Sequence, residues 1–289
     1  MPDLVVVVPS RGRPAAAAEL AQACQQTCTA DTVLLVAVDS DDPTLPQYAA
    51  PVGPTVFFIW SPPAAGHVGA INFAAARALA DFQPYAIAKL DDDHRPRTVG
   101  WDKVYLDALR ELGTGIVYGN DLLQGANLPT APALTADIVQ ALGYMGPPGL
   151  NHLFVDNFWH DLGQRAGCLR YLPDVVVEHM HPIAGKAAMD DGYRRANSSQ
   201  QYASDGAAYE QYKVNQLPQD VAKVRALGGP ARRECCPPAR PGSRAATACG
   251  TSLRPPTGPS SVRSRSPTAG CRSGSSPPST RASSTGCMW

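Results

Sequence analysis

The chain has 289 residues and a formal net charge of zero, a length that allows one large domain or two small ones. The neutral total hides an asymmetry: residues 1–228 carry 16 Lys and Arg against 24 Asp and Glu, whereas residues 229–289 carry nine Arg and one Glu. The acidic first part argues against a broad nucleic-acid-binding surface there. The sequence contains neither a G-x-G-x-x-G fingerprint nor a P-loop, which excludes the commonest nucleotide-binding motifs.

The N-terminal stretch MPDLVVVVPS has no basic leader, and its apolar run is too short for a signal-peptide core or a membrane span. Cys24, Cys28 and Cys168 have neither the spacing of a zinc site nor that of a disulfide framework. We therefore expect a cytoplasmic protein with reduced cysteines and no membrane span.

The first half of the chain alternates short apolar runs with helical patterns. The runs are apolar throughout, which indicates strands covered on both faces of a sheet. The predicted strands are 4–9, 33–38, 55–60, 85–90 and 115–119, and the predicted helices are 14–28, 69–81 and 98–112. This alternation predicts an α/β fold with a mostly parallel sheet flanked by helices.

The patterns weaken beyond residue 120. They predict helices over 134–145, 155–167 and 204–217 and a strand over 171–181. We interpret residues 1–228 as one domain, with a nucleotide-binding half at about 1–120 and an acceptor half at about 121–228 that completes a cleft.

Residues 229–289 are rich in Ser, Pro, Arg, Gly and Cys and contain no Lys, Asp, Ile, Phe or Tyr. Such a composition buries too little apolar surface to offset the entropy lost on ordering, so it predicts a disordered basic tail. Binding of nucleic acid by electrostatic attraction is the functional interpretation of the tail. The alternative is an extension that carries no site, including an out-of-frame translation of GC-rich sequence.

Ligands of open α/β sheets bind outside the carboxyl ends of the strands, so the residues after each strand are the site candidates. The first strand ends in PSRGRP, where Gly12 permits a tight turn and Arg11 and Arg13 offer charge to a phosphate; an ordinary loop is the alternative. Asp39 ends the second strand and can accept hydrogen bonds from a ribose or a base. The loop at Gly66 and His67 precedes a helix, whose N terminus favours a pyrophosphate; an Ala-rich helix that only packs on the sheet is the alternative.

The fourth strand ends in three adjacent carboxylates, within YAIAKLDDDH. Because like charges repel, this cluster is either a solvated turn or a cation site. In an extended chain, Asp91 and Asp93 project to one side and Asp92 to the other. Two carboxylates on one side suit Mg²⁺ or Mn²⁺, which prefer oxygen ligands and keep substrate phosphates in their shell. His94 is interpreted as a spectator.

Three features together resemble the nucleotide-sugar glycosyltransferases of the GT-A fold: a D-x-D after the fourth strand, an aspartate closing the second strand, and the PSRGRP start. The resemblance covers about residues 4–195 and is particularly to family 2 enzymes of bacterial and phage type. It implies a nucleoside-diphosphate-sugar donor, a hydroxyl-bearing acceptor (a glycan, small molecule, protein or modified DNA base) and Mn²⁺ or Mg²⁺. For a viral member it implies the host cytoplasm.

The resemblance also implies roles for individual residues. Asp39 would contact the nucleotide, while the D-x-D would contact the donor ribose and a divalent metal. This implicates Asp91 and Asp93, with Asp92 as a competing carboxylate. The remaining predicted donor-binding residues are Pro9, Arg11, Arg13, Gly66 and Asn72.

Inverting relatives place a general base on the acceptor side, often in a Glu-Asp pair at a helix start. The candidate here is Asp156, which would take the proton of the acceptor hydroxyl as that oxygen attacks the anomeric carbon. Val155 stands where the family often has Glu, so the match is partial. The alternatives are that Asp156 is only the N-cap of its helix, or that Asp161 is the base.

Two histidines follow in VVVEHMHP. If this segment is a strand, His179 and His181 share one face and Met180 lies on the other. Some GT-A enzymes supply a late histidine to the metal, so both are candidate metal ligands, with His181 placed first.

The sequence thus predicts a metal-dependent glycosyltransferase, of hexosyl or related type, that inverts the anomeric centre. One alternative is a metal-dependent hydrolase built on the same aspartates and histidines, although no H-E-x-x-H spacing is present. The other is a nucleotide-sugar-binding module without turnover.

Overall fold

The computed structural model describes residues 1–49 and 55–228, so the disorder predicted for residues 229–289 concerns residues outside the described part of the chain. The described residues belong to one compact unit. No helix among them has both the length and the apolar character needed to cross a bilayer. The division into a nucleotide-binding half and an acceptor half stays a prediction.

Strands and helices alternate through the first half, as the apolar runs predict. The strands are β1 Leu4–Ser10, β2 Thr32–Asp39, β3 Val56–Ser61, β4 Ala86–Lys89, β5 His94–Pro96, β6 Ile116–Asn120, β7 Pro132–Thr135 and β8 Leu169–His179. The α-helices are α1 Pro14–Thr27, α2 Gly66–Asp81, α3 Trp101–Leu112, α4 Ala136–Leu142, α5 Val155–Ala166, α6 Asp191–Ala196, α7 Ser199–Asn215 and α8 Leu217–Leu227.

The strands form an eight-stranded sheet in the order β3-β2-β1-β4-β7-β6-β8-β5. β1 to β4 run parallel to one another, and β8 runs parallel to β6. β7 is antiparallel to both of its neighbours, and the short β5 is antiparallel to β8. The structure thereby confirms the predicted α/β fold with a mostly parallel sheet.

Each face of the sheet is covered by helices, which explains why its central strand β1 is apolar along almost its whole length. In β1, Val5 and Val7 belong to one hydrophobic core, whereas Leu4, Val6 and Val8 belong to the other. All five side chains are 0% exposed. The first core also contains residues of α2, α4, α5, α7 and α8, and the second contains residues of α1 and α3.

The fold brings the ends of three parallel strands to one edge of the sheet. β1 ends at Ser10, β2 at Asp39 and β4 at Lys89, and the registers of β1 with β2 and β4 align these ends. The PSRGRP loop, Asp39 and the acidic triplet therefore share one edge. β5 adds a pairing that the sequence pattern does not predict, since it sets His94 opposite His179 of β8.

Candidate active site

The acidic triplet leaves β4 at this edge as a turn, because the His94 N–H donates to the Asp91 carbonyl at 2.9 Å. The extended conformation considered from the sequence is therefore not present. The turn still separates the three carboxylates: oxygens of Asp91 and Asp93 lie within 4.8 Å of each other and of a His94 nitrogen. Asp92 faces β1 instead, where the Ser10 hydroxyl donates to it at 2.6 Å.

A buried ammonium group pairs with the first aspartate. Lys89 has a side chain 2% exposed, and its Nζ donates to Asp91 Oδ2 at 2.6 Å and to the Thr130 carbonyl at 3.3 Å. Burial would raise the pKa of Asp91, but Lys89 together with the neighbouring His67 and His94 outweighs burial and holds that pKa below its ordinary range. Asp91 is therefore ionised, and its other oxygen lies 3.4 Å from His67 Nε2.

The third aspartate faces a histidine. Asp93 Oδ1 lies 3.5 Å from His179 Nε2, and the Tyr193 hydroxyl donates to Asp93 Oδ2. Burial would raise the pKa of Asp93, but its interactions with His179, His94 and Tyr193 together lower it. The contact with Asp93 raises the pKa of His179 against the effect of burial. Carboxylate oxygen and imidazole nitrogen are both ligand types that Mn²⁺ accepts.

The other two nearby histidines have different surroundings. His94 Nδ1 accepts the Asp91 N–H at 2.8 Å, and burial lowers the pKa of His94 to about 3. The neutral ring therefore carries its proton on Nε2, so His94 orients the turn and has no free lone pair for an ion. β8 ends at His179, so His181 lies beyond the strand. Its Nδ1 accepts the Ile183 N–H at 3.2 Å, and its ring packs edge-on against His179 and Tyr193.

Unpartnered polar atoms concentrate at this edge. Six buried side-chain atoms in the described residues lack a hydrogen-bond partner, and the only one away from the site belongs to Trp101. The other five are Asp91 Oδ1, Asp93 Oδ1, His94 Nε2, Asp156 Oδ1 and His179 Nδ1. Leaving a buried polar atom unpaired costs about 1–3 kcal/mol, so such a cluster indicates a site built for ligands. The two aspartate oxygens fit a divalent cation.

Asp156 is the second residue of α5, and the N-cap position is occupied by Phe154. The N-cap interpretation of Asp156 is therefore wrong, because the helix begins before it and no side chain caps the helix. Burial raises the pKa of Asp156 to about 6, although the positive charge of Lys89 opposes the effect. A half-buried carboxylate with a buried, unpartnered oxygen and a pKa near neutrality has the properties of a general base. Asp161 accepts from Tyr209 at 2.9 Å.

The predicted donor-binding loops form a connected network. Asp39 is buried and accepts from Ser61 and from Arg11, each at 2.8 Å. Arg11 also binds Asp41, at 2.6 Å. Gly12 has φ +71°, and its N–H donates to Asp42 at 2.6 Å, which fixes the tight turn.

Arg13 lies between the acidic triplet and the segment around α6. Its guanidinium contacts Asp92 at 3.5 Å and Asp93 at 3.9 Å, and it binds both carboxylate oxygens of Asp190. It also stacks over the Tyr193 ring, with 4.1 Å to the centroid. Pro9, next to this loop, lies within β1 and pairs with Ala37 of β2.

Asn72 and Gly66 are engaged by the chain itself. The Asn72 side chain accepts the N–H groups of Met145 and Gly146 and donates to the Gly146 carbonyl, at 2.8–2.9 Å. A Cβ on Gly66 would lie 2.0 Å from Asn151 Oδ1, so close packing of the loop requires glycine there. The nucleotide roles of Asn72 and Gly66 stay predictions.

Three further residues reach this edge that the sequence analysis does not place in the site: Ser10, Lys89 and Tyr193. The sequence does contain a signal that could identify Lys89 as a site residue, since it is the one charged residue in the apolar run YAIAKL. Tyr193 had none, because only the tertiary fold brings it to Asp93, 100 residues away in sequence.

No protein-family model matches the sequence, and no curated protein sequence matches it. Among solved structures, it is similar to a mannosyltransferase from Pyrobaculum calidifontis in complex with GDP-Man and Mn²⁺. The identity is 15%, with a TM-score of 0.53, over 78% of this chain and 74% of that one. S. aureus TarS 1–349 in complex with UDP-GlcNAc has 12% identity and a TM-score of 0.48, over 74% of this chain and 73% of that one.

At this low identity, the similarity to the mannosyltransferase bears on the fold alone. It confirms the GT-A-type α/β fold that the D-x-D and the strand pattern predict. The chain therefore has the fold of nucleotide-sugar glycosyltransferases.

Proposed function

We propose that the protein is a metal-dependent glycosyltransferase that moves a sugar from a nucleoside-diphosphate sugar to an acceptor hydroxyl with inversion. The observation that carries the proposal is the group of buried, unpartnered oxygens on Asp91, Asp93 and Asp156 at the carboxyl edge of a GT-A fold. The complex of the mannosyltransferase with GDP-Man and Mn²⁺ supports a nucleotide-sugar donor and a divalent ion here as well.

Mn²⁺ or Mg²⁺ would be held by Asp91, Asp93 and His179. His181 is the additional candidate ligand. When bound, the ion would supply positive charge to the diphosphate leaving group. The Asp91 carboxylate has Oδ2 committed to Lys89, so only Oδ1 is free. Asp93 has Oδ2 committed to Tyr193 in the same way. Each aspartate thus offers one oxygen to the ion, and the two oxygens would occupy neighbouring ligand positions.

Asp156 is proposed as the general base. Its carboxylate takes the acceptor proton at Oδ1, the atom without a hydrogen-bond partner. With a pKa of about 6, Asp156 is ionised at neutral pH yet still basic enough to accept a proton. Attack by the activated acceptor oxygen opposite the leaving diphosphate inverts the anomeric centre.

Donor recognition is assigned to the loops after β1, β2 and β3. Asp39 would accept from the base or ribose, and Arg11 and Arg13 would face the diphosphate. Both arginines are paired with carboxylates, so they would have to share their N–H groups with the donor. Pro9, Gly66, Asn72 and Asp92 complete the proposed donor-binding set as residues that shape these loops.

The test is a panel of GDP- and UDP-hexoses incubated with Mn²⁺ or Mg²⁺ and a set of hydroxyl-bearing acceptors. Mass spectrometry separates the outcomes, because transfer adds a glycosyl mass to an acceptor whereas hydrolysis yields free sugar. NMR of the product reports the anomeric configuration, and retention would remove Asp156 as an inverting base. Donor binding without turnover across the panel would favour the binding-module alternative.

A further inference from the structure

A buried hydrogen-bond chain connects the PSRGRP loop to the acidic triplet. The Arg13 N–H donates to the Tyr48 hydroxyl at 2.9 Å, and that hydroxyl lies 2.9 Å from Ser10 Oγ. Ser10 Oγ in turn donates to Asp92 Oδ2 at 2.6 Å. Ser10, Tyr48 and Asp92 are 6%, 2% and 5% exposed.

With Asp92 as the carboxylate acceptor, the protons of this chain have one consistent direction. A hydroxyl has a single proton, and Ser10 gives its proton to Asp92. Ser10 Oγ can therefore only accept from Tyr48, so Tyr48 donates to Ser10 and accepts from the Arg13 N–H. Burial raises the pKa of Tyr48, so the phenol keeps the proton that this arrangement needs.

The chain acts on the middle residue of the triplet. By holding Asp92 against the end of β1, it fixes the turn that also carries Asp91 and Asp93, whose Oδ1 atoms have no hydrogen-bond partner. We propose that Ser10 and Tyr48 are positioning residues that act through Asp92 to hold Asp91 and Asp93 ready for a divalent cation. This inference rests on the metal site of the proposed function and assigns it two residues outside the D-x-D.

If the two hydroxyls had a purely structural role, their removal would lower stability and leave the Mn²⁺ affinity unchanged. The experiment therefore measures metal affinity and folding separately. Mn²⁺ alone is titrated into the full chain and followed by the EPR signal of the free ion, and thermal unfolding is recorded in EDTA. The variants are Ser10→Ala, Ser10→Thr, Tyr48→Phe and Ser10→Ala with Tyr48→Phe. None of them replaces a charged residue.

Tyr212→Phe is the matched control. Tyr212 is buried like Tyr48, and its hydroxyl donates to the buried Asp220 at 2.7 Å, with no contact to the triplet. This variant is expected to lower the unfolding temperature and leave the Mn²⁺ affinity unchanged.

Ser10→Ala is expected to weaken Mn²⁺ binding about tenfold, the lower end of what outer-shell substitutions cost a metal site. Tyr48→Phe should weaken it severalfold, and Ser10→Thr, which keeps the hydroxyl, should bind as the native chain does. Because the groups act in series, the double variant should bind no more weakly than Ser10→Ala alone.

The proposal would be overturned if Ser10→Ala and Tyr48→Phe both bind Mn²⁺ with native affinity but unfold at lower temperatures. The two hydroxyls would then have a purely structural role. Multiplying effects in the double variant would overturn the serial arrangement. If Ser10→Ala does not fold, Tyr48→Phe and Ser10→Thr decide by the same criteria. A native chain that binds Mn²⁺ but transfers no sugar would refute the proposed function while these affinities still decide the role of the hydroxyls. A native chain that binds no Mn²⁺ would overturn both.

Discussion

Asp156→Asn is expected to remove activity and at the same time stabilise the protein. Burial raises the pKa of Asp156 from its ordinary value of 3.8 to about 6. Each tenfold difference in proton affinity is worth about 1.4 kcal/mol, so keeping this carboxylate ionised costs the folded chain about 3 kcal/mol at neutral pH. Asparagine has nearly the same shape and carries no charge.

The pH dependence of this gain follows from the direction of the pKa change. Below about pH 4 the carboxyl is protonated in both the folded and the unfolded chain, so the substitution gains nothing from charge removal. Between about pH 4 and pH 6 the unfolded chain ionises Asp156 before the folded chain does, and the native protein loses stability. The stability advantage of Asp156→Asn should therefore grow through this window and stay constant above pH 6.

Catalytic activity, in contrast to stability, should depend on the ionised carboxylate of Asp156. A general base contributes about 10²- to 10⁴-fold, so kcat of Asp156→Asn should fall by that factor. In the native enzyme the rate should decline below pH 6, because only about one tenth of a carboxyl with a pKa of about 6 is ionised at pH 5. Bound metal would shift this decline in rate to lower pH, since a nearby positive charge favours the ionised carboxylate.

Urea unfolding in EDTA across pH 4–8 measures the stability, and initial rates of donor turnover measure the activity. Asp161→Asn is the comparison, because that carboxylate already accepts from Tyr209. Turnover of Asp156→Asn within about threefold of native would refute the base assignment. A large loss in Asp161→Asn alone would transfer the role to Asp161. A stability gain that is largest at acid pH would refute the pKa argument.

Three further predictions concern the donor and metal residues. Asp93→Asn should lose Mn²⁺-dependent donor binding in calorimetry while its circular dichroism stays native, whereas Asp191→Asn, which changes an exposed aspartate, should bind normally. Lys89→Met leaves Asp91 without its buried counter-charge, so the free energy of unfolding in urea should fall by about 3 kcal/mol. Adding Asp91→Asn should partly restore this free energy. An unchanged urea midpoint in Lys89→Met would contradict the pairing. Asp39→Asn should raise the donor KM about tenfold with little change in kcat, and a purely kcat effect would argue against a donor contact.

Much of the first half of this fold is predictable from the sequence because its signals are local. The apolar runs mark β1 to β4 and β6 to within two residues at either end, and Pro14 marks the start of α1. The strand ends then identify Asp39 and the acidic triplet as residues of one edge, since parallel strands end together. The elements that the patterns do not reveal include the strands β5 and β7, with three and four residues, the six-residue α6, and the eleven-residue α8.

The sequence by itself determined the α/β class and the edge of the sheet where chemistry is possible, because buried strands must be apolar and the residues after them need not be. Only the tertiary structure decided how the three aspartates divide. Lys89 pairs with Asp91, Ser10 turns Asp92 toward β1, and the pairing of β5 with β8 brings His179 to Asp93. The contacts of Ser10 and His179 join segments far apart in sequence, and the Lys89–Asp91 pair is buried, so their geometry depends on strand register and on burial, neither of which a local pattern of residues encodes.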